Sequence, residues 1–391
     1  SKQSLSMKWF VISCLLGIFS LGLIMVFDTS SAEVLDRSLE CSTHKALIRQ
    51  VTYLILGLGV ASLLYMMEWR DFLKISPVLL SGAALALICV FIPGLGICRN
   101  GARRWLGFGQ LTIQPSEFVK YLVPIVALYF LTFSSLYQKQ LKMFLKLTAI
   151  LFIPILLIAI EPDNGSAAVI SASLIPVFIM TSVRLRYWLL PLLCVLIAGG
   201  ALAYRMPYVR YRLNVYLHPE LDIKGRGHQP YQAKIAAGSG KLLGKGPGAS
   251  LQKLTYLPEA QNDYIAAIYA EEFGFLGMLV LILLYMCFVY GGYAIAIKAS
   301  SLEGAALAMV ITLIISMQAF MNLGVVSGLL PSKGVNLPFF SQGGSSLIAN
   351  MCGVTLLLKV YDEENSKSSL GCRRFRRPHC PSSLGKGSFF S

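Results

Sequence analysis

Carboxylates, amides and cations crowd four segments of this chain at places where a connecting loop needs only to be soluble. They are Arg103-Arg104-Trp105 with Gln114-Pro115-Ser116-Glu117; Glu161-Pro162-Asp163-Asn164-Gly165; Tyr256-Leu257-Pro258-Glu259-Ala260-Gln261-Asn262-Asp263-Tyr264; and Gly328-Leu329-Leu330-Pro331-Ser332-Lys333-Gly334 with Ser341-Gln342-Gly343-Gly344-Ser345-Ser346. Acids beside cations offer proton transfer together with stabilisation of a departing anion. If Pro258 opens a helix, Glu259 and Asp263 stand four residues apart on one face, and Glu271 is the next carboxylate there. Asp263 is otherwise a plain helix-start residue and Glu259 a surface acid. The forked guanidinium groups of Arg103 and Arg104 suit phosphate, but a pair with Glu117 would read identically. Lys333 either reaches an anionic ligand or is simply solvated. Lys120 lies two residues inside an apolar stretch, where a charge costs a few kcal/mol unless it snorkels or pairs, so Glu117 or Asp163 is its expected partner. Asp163 itself is a cap or a cavity acid.

The elements that must hold these residues are apolar. Of 391 residues, 55% are hydrophobic and 14% charged, against about a quarter charged in an ordinary soluble domain. Ten apolar stretches run from residues 9 to 27, 47 to 67, 75 to 92, 118 to 133, 141 to 160, 167 to 183, 187 to 204, 273 to 297, 305 to 323 and 345 to 360. They predict an all-α integral membrane protein with about ten transmembrane helices. The last stretch is short enough to be re-entrant instead. Residues 1–361 form one polytopic domain in this reading, with a large extracytoplasmic loop, 205–272, between spans 7 and 8. Residues 362–391 are expected to be a disordered, basic cytoplasmic tail. The first stretch follows Lys2 and Lys8 but lacks a clear small-residue cleavage site, so it reads as an uncleaved span. The nine cysteines are scattered, mostly as small buried hydrophobes, and no metal spacing is evident; Cys372, His379 and Cys380, two thiols and an imidazole in a basic tail, read as unstructured ahead of a metal site.

The formal charge of +15 would suggest nucleic acid in a soluble protein, but in a membrane protein it marks cytoplasmic loops. With both termini in the cytoplasm, every inside loop is basic, from Arg70 and Lys74 to Arg373, Arg374, Arg376 and Arg377. The loop 205–272 breaks the rule with nine basic residues between Arg205 and Lys253, as a long translocated loop is permitted to do. Cations massed there suit lipid phosphate or the anionic headgroups of the outer leaflet. Its glycines, Gly225 to Gly248, suit close backbone approach to a ligand or a re-entrant structure.

The four ordered motifs resemble the signatures of the SEDS family (shape, elongation, division, sporulation), over nearly the whole stretch from Trp9 to Val360. The resemblance implies a ten-helix fold with an outward-facing cavity, and a glycosyltransferase that polymerises lipid II on the outer face of the bacterial cytoplasmic membrane. The run Tyr-Leu-Pro-Glu-Ala, the Pro-Ser-Lys-Gly variant and the paired serines are closer to the division branch than to the elongation branch. The family's essential aspartate falls on Asp263, which as general base would take the proton of the acceptor hydroxyl while undecaprenyl pyrophosphate departs. Arg103, Arg104, Glu259, Lys333 and Ser345 are then substrate-binding residues, with Glu117, Lys120 and Asp163 in support. A carboxylate in a helix's first turn is held as its anion, which weakens a base; crowding by Glu259 or burial would restore it. The partners implied are a class B penicillin-binding protein, other division proteins and the lipid-linked glycan. A divalent cation, Mg²⁺ or Mn²⁺, is admissible where two pyrophosphates meet carboxylates, although no metal motif shows. The alternatives are a lipid II flippase and a non-catalytic division scaffold. This chain departs from the family pattern at Gln342, Lys234 and Asn164, positions that bear on acceptor contacts.

Overall fold

The computed structural model describes residues 2–37, 45–99, 102–108, 111–161, 163–205, 207, 210, 214, 216–218, 228–250, 262–331 and 334–374. Hydrocarbon offers no partner for a backbone amide, so the apolar stretches satisfy their own amides as helices. These are α1 (Lys2–Arg37), α2 (Lys45–Met66), α3 (Trp69–Val90), α4 (Pro115–Phe133), the short α5 (Leu136–Lys139), α6 (Leu141–Ile160), α7 (Asn164–Met180) and α8 (Leu185–Arg205). They continue with α9 (His228–Ser239), α10 (Ile265–Lys298), α11 (Leu302–Val326) and α12 (Gly344–Arg374). Eight of them are long and apolar enough to cross a membrane; Asn164–Met180 and Leu185–Cys194 are shorter apolar helices. Each of the ten apolar stretches falls on one of these helices.

The helices sort by burial. In α4 and α12, 72% of the apolar window is buried and in α11 61%, against 17% in α2 and 22% in α10. The first three therefore form the centre of the bundle, and the others turn leucine and isoleucine outward. That centre also holds the polar groups: Glu117 and Lys120 on α4, Gln318 and Asn322 on α11, Asn350 on α12. Tyr121 on α4 donates to Asn350 Oδ1 at 2.7 Å, joining two of the central helices.

The all-α reading omitted a small antiparallel meander of β1 (Gly96–Arg99), β2 (Ala102–Phe108) and β3 (Leu111–Ile113). Leu106 pairs with Ile113 and Gly107 with Thr112 across the β2–β3 pair. Tyr53 of α2 anchors it, its hydroxyl donating to the Thr112 carbonyl (2.8 Å) and accepting from the Thr112 amide (2.9 Å). At the opposite end of the bundle, Lys8 pairs with Asp362 at 2.7 Å, Tyr65 also reaches Asp362, and Trp69 and Arg70 both reach Glu363. The last helix continues to Arg374, past the boundary that the sequence suggested at Tyr361. Residues 375–391, with His379 and Cys380, lie outside the described residues.

The glycine-rich loop does make the close approach its composition suggests, but to the protein's own backbone. Inside α10, Gly274 takes φ 67° and ψ −162°, a conformation closed to side-chain-bearing residues, and it kinks the helix. A Cβ at Gly274 would collide with the Gly244 amide, and one at Gly244 with the Glu272 carbonyl oxygen. Gly274→Ala is therefore expected to destabilise the protein by at least about 1–3 kcal/mol. Thermal unfolding in detergent checks this, and an unchanged midpoint would contradict the backbone interlock.

Candidate active site

Residues 262–264 form a turn, and the helix begins at Ile265 with Tyr264 as its N-cap. Asp263 therefore stands in a turn two residues before α10 and one before its N-cap. Its expected neighbour Glu259, and likewise Lys333, lie outside the described residues. The Asp263 carbonyl accepts from Asn322 Nδ2 at 2.9 Å, and the same nitrogen donates to the Val335 carbonyl at 2.8 Å. Asn322, 2% exposed near the end of α11, thus ties the Asp263 turn to the segment that follows Lys333. Sequence reasoning passed over Asn322, although an amide inside the apolar run 305–323 is the same kind of signal that picked out Lys120.

Gly334 shows what faces Asp263. A Cβ placed there would lie 3.1 Å from Asp263 Oδ2 and 3.8 Å from Arg104 Nη1. The carboxylate and the guanidinium thus border one small space that a side chain at residue 334 would fill. Arg104 Nε donates to the Glu161 carbonyl at 2.9 Å, which brings β2 against the end of α6. Strand alternation separates the arginine pair: Arg103 is exposed while Arg104 turns inward.

The supporting residues form a layer beneath. Lys120 Nζ lies 2.6 Å from Glu117 Oε2, with both side chains almost fully buried, so Glu117 is the lysine's partner and not an arginine's. Asp163 is a helix cap whose second oxygen is held by the start of α4. Its Oδ1 caps α7 by accepting from the Ser166 amide at 3.2 Å. Its Oδ2 accepts from Ser116 Oγ at 3.4 Å and Gln114 Nε2 at 3.5 Å, and it is 2% exposed. Ser345 Oγ accepts from the Gln114 amide at 2.9 Å and donates to the Thr112 carbonyl at 3.3 Å, so this hydroxyl splices α12 to the start of α4. The Lys234 side chain runs through the space that a Cβ on Gly328 would occupy, which places this departure beside the loop after α11.

Glu161 was quoted in its motif but given no role. It is 2% exposed, and neither carboxyl oxygen has a hydrogen-bond partner among the described residues. Burial pushes its pKa up to about 8 and Asp163 adds to the rise, while Arg104 opposes it. The folded protein thus keeps a proton that the unfolded chain releases near 4.5. Its contribution to stability is intact below that value and declines as pH rises toward about 8. Among the described residues, no three His, Cys, Asp or Glu side chains gather in a metal-binding group.

Two outcomes follow from this layer. Glu161→Gln is expected to flatten the fall in stability between pH 5 and 8, measured as unfolding midpoints in buffers across that range; parallel curves for both proteins would contradict a neutral Glu161. Lys120→Met leaves Glu117 buried without its cation and is expected to cost about 3–5 kcal/mol. Adding Glu117→Gln is expected to recover much of that loss in the same unfolding assay.

Residues 8–366 match the family model of the FtsW, RodA and SpoVE cell cycle proteins. The probable peptidoglycan glycosyltransferase FtsW of Legionella pneumophila is 37% identical over 379 residues, covering 95% of this chain and 94% of that protein. Stage V sporulation protein E of Bacillus subtilis is 36% identical over 352 residues, covering 88% and 93% respectively. A solved structure titled for structural coordination of polymerization and crosslinking by a peptidoglycan synthase complex matches with TM-score 0.73 at 26% identity, covering 91% of this chain and 98% of that one. The rod shape determining protein RodA of Thermus thermophilus shares the fold, with TM-score 0.64 at 24% identity over 91% of this chain and 97% of that one. In sequence and in architecture alike, this multi-pass membrane chain belongs to the FtsW/RodA/SpoVE family, the SEDS proteins.

Proposed function

We propose that the chain is a peptidoglycan glycosyltransferase of cell division, which polymerises lipid II on the outer face of the cytoplasmic membrane. The observation that carries this reading is the convergence of Asp263 and Arg104 on the space beside Gly334. The naming of several relatives, among them those of Legionella pneumophila and Coxiella burnetii, as probable peptidoglycan glycosyltransferases supports the same class of reaction. Asp263 accepts the proton of the acceptor sugar's hydroxyl as that oxygen bonds to the donor's anomeric carbon. The bond from that carbon to the pyrophosphate breaks with inversion, and undecaprenyl pyrophosphate leaves with the electron pair. Arg104 faces the charge that develops on the leaving group. The turn that carries Asp263 leads directly into the positive end of α10.

The basic inside loops favour cytoplasmic termini, which puts the site on the outer face. A class B penicillin-binding protein is the partner we assign, in line with the synthase complex among similar structures. A divalent cation, if used, would draw its ligands largely from substrate phosphates. A flippase needs a polar route through the membrane. Among the described residues, the buried charges and amides of the spans stop at Gln318, eight residues before the end of α11, or about 12 Å along a helix. That depth favours an enzyme acting at one surface.

Purified protein with a partner penicillin-binding protein is expected to polymerise fluorescent lipid II. Asp263→Ala should remove activity by at least about a hundredfold, the scale of a lost general base. Equal polymer from both proteins would remove Asp263 from the mechanism, and transport of lipid II in liposomes without polymer would favour flipping.

A further inference from the structure

Glu271 and Glu272 of α10 are 0% and 2% exposed, yet the reaction steps above use neither. Three donors converge on Glu271: Lys245 Nζ at 2.6 Å and Ser239 Oγ at 3.3 Å reach Oε1, and the Ser250 hydroxyl reaches Oε2. The Ser250 amide points at Glu272 Oε1, 3.4 Å away. Main-chain bonds reinforce the attachment. The amides of Lys245 and Gly246 reach the carbonyls of Glu271 and Glu272 at 3.0 Å each. The amides of Phe275 and Leu276 reach the carbonyls of Lys241 and Leu242 at 2.9 and 3.2 Å. The kink at Gly274 frees helix groups for this ladder, and the small residues Gly240 and Gly244 let the two backbones meet.

The chain leaves this attachment at Ser250 and returns thirteen residues later at Asp263. Asp263 stands two residues before α10, and Glu271 lies in the second turn of that helix, so the Asp263 turn and the Ser250–Glu271 attachment are held to the same end of α10. A buried carboxylate held by an ammonium and two hydroxyls keeps one geometry, because any other leaves it unpaired. Lys245, which the sequence groups with the loop's anion-seeking cations, is committed to a protein acid.

We propose that Glu271, through its ion pair with Lys245, is a positioning residue for Asp263, setting where the base stands relative to Arg104. This rests on the glycosyltransferase reading above. The assay is polymerisation of fluorescent lipid II by the full-length protein with its partner synthase. It compares the parent, Lys245→Met, Glu271→Gln and the double variant, each scaled to the fraction folded at the assay temperature. Lys245→Met takes the cation from a buried acid and is expected to lower kcat per folded molecule on the order of a hundredfold, the scale of a displaced catalytic group. KM should stay within about twofold, because substrate contacts are untouched. Glu271→Gln keeps the serine hydrogen bonds and is expected to lose about tenfold. The double variant, with no stranded charge, should return at least to that level. Parental kcat in both single variants, losses that vanish after scaling to folded protein, or single effects that simply multiply in the double variant would each overturn the proposal. A parent that makes no polymer overturns the glycosyltransferase reading itself, and this inference with it; an active parent isolates the inference.

Discussion

A charge carried below the membrane surface has to find its partner inside the protein, and the architecture at the end of the bundle that holds the candidate site follows from that requirement. Lys120 is met by Glu117 one helical turn away, Glu271 by Lys245 from a separate loop, and Asp163 by the helix that it caps and by α4. Each pairing joins two turns or two chain segments, so the polar layer also fastens the bundle's mouth. The most deeply buried spans, α4, α11 and α12, add the neutral amides Gln318, Asn322 and Asn350 to the same interior. Buried ion pairs add little net stability, but breaking one is expensive, which makes such a layer resistant to rearrangement.

The electrostatics of the site differ from what a count of formal charges suggests. Glu161 holds its proton near neutral pH, with its pKa at about 8, so it does not compete as an anion for Arg104. Lys245 is balanced by Glu271, and Lys120 by Glu117. Among the described residues, an acid, Asp263, and a guanidinium, Arg104, border the space beside Gly334. That is the minimum set for removing a proton from an alcohol while a phosphate ester departs.

The apolar stretches were legible in the sequence because a span announces itself through length and hydropathy alone, and each one lands on a helix. Local pairings were legible too: Lys120 finds Glu117 three residues away. Long-range relations were not. Nothing in the run from Gly96 to Ile113 separates a three-stranded meander from a polar loop until Tyr53 and Ser345 are known to grip Thr112. Arg103 and Arg104 look equivalent as a pair, and only the strand's two-residue period sends one of them outward. The glycines of the large loop signalled close approach correctly, but the surface approached, the kinked backbone of α10, is fixed by tertiary packing. The burial of Glu161 and the distant partners of Asn322 were not legible for the same reason, since both are set by tertiary packing.

The ionic cluster at the other end of the bundle bears on the order of assembly. Lys8, Tyr65, Trp69 and Arg70 belong to the first three helices, while Asp362 and Glu363 belong to the last. A ribosome makes the cations first and their acids some three hundred residues later. Until then Lys8 of α1 can turn to the Tyr65 hydroxyl of α2, 2.9 Å away in the finished fold, but neither helix is yet joined to the last one. The closing contacts of the fold are therefore made last, so a chain that stops short of residue 362 would enter the membrane with all its other spans and still lack the joint that holds its beginning to its end.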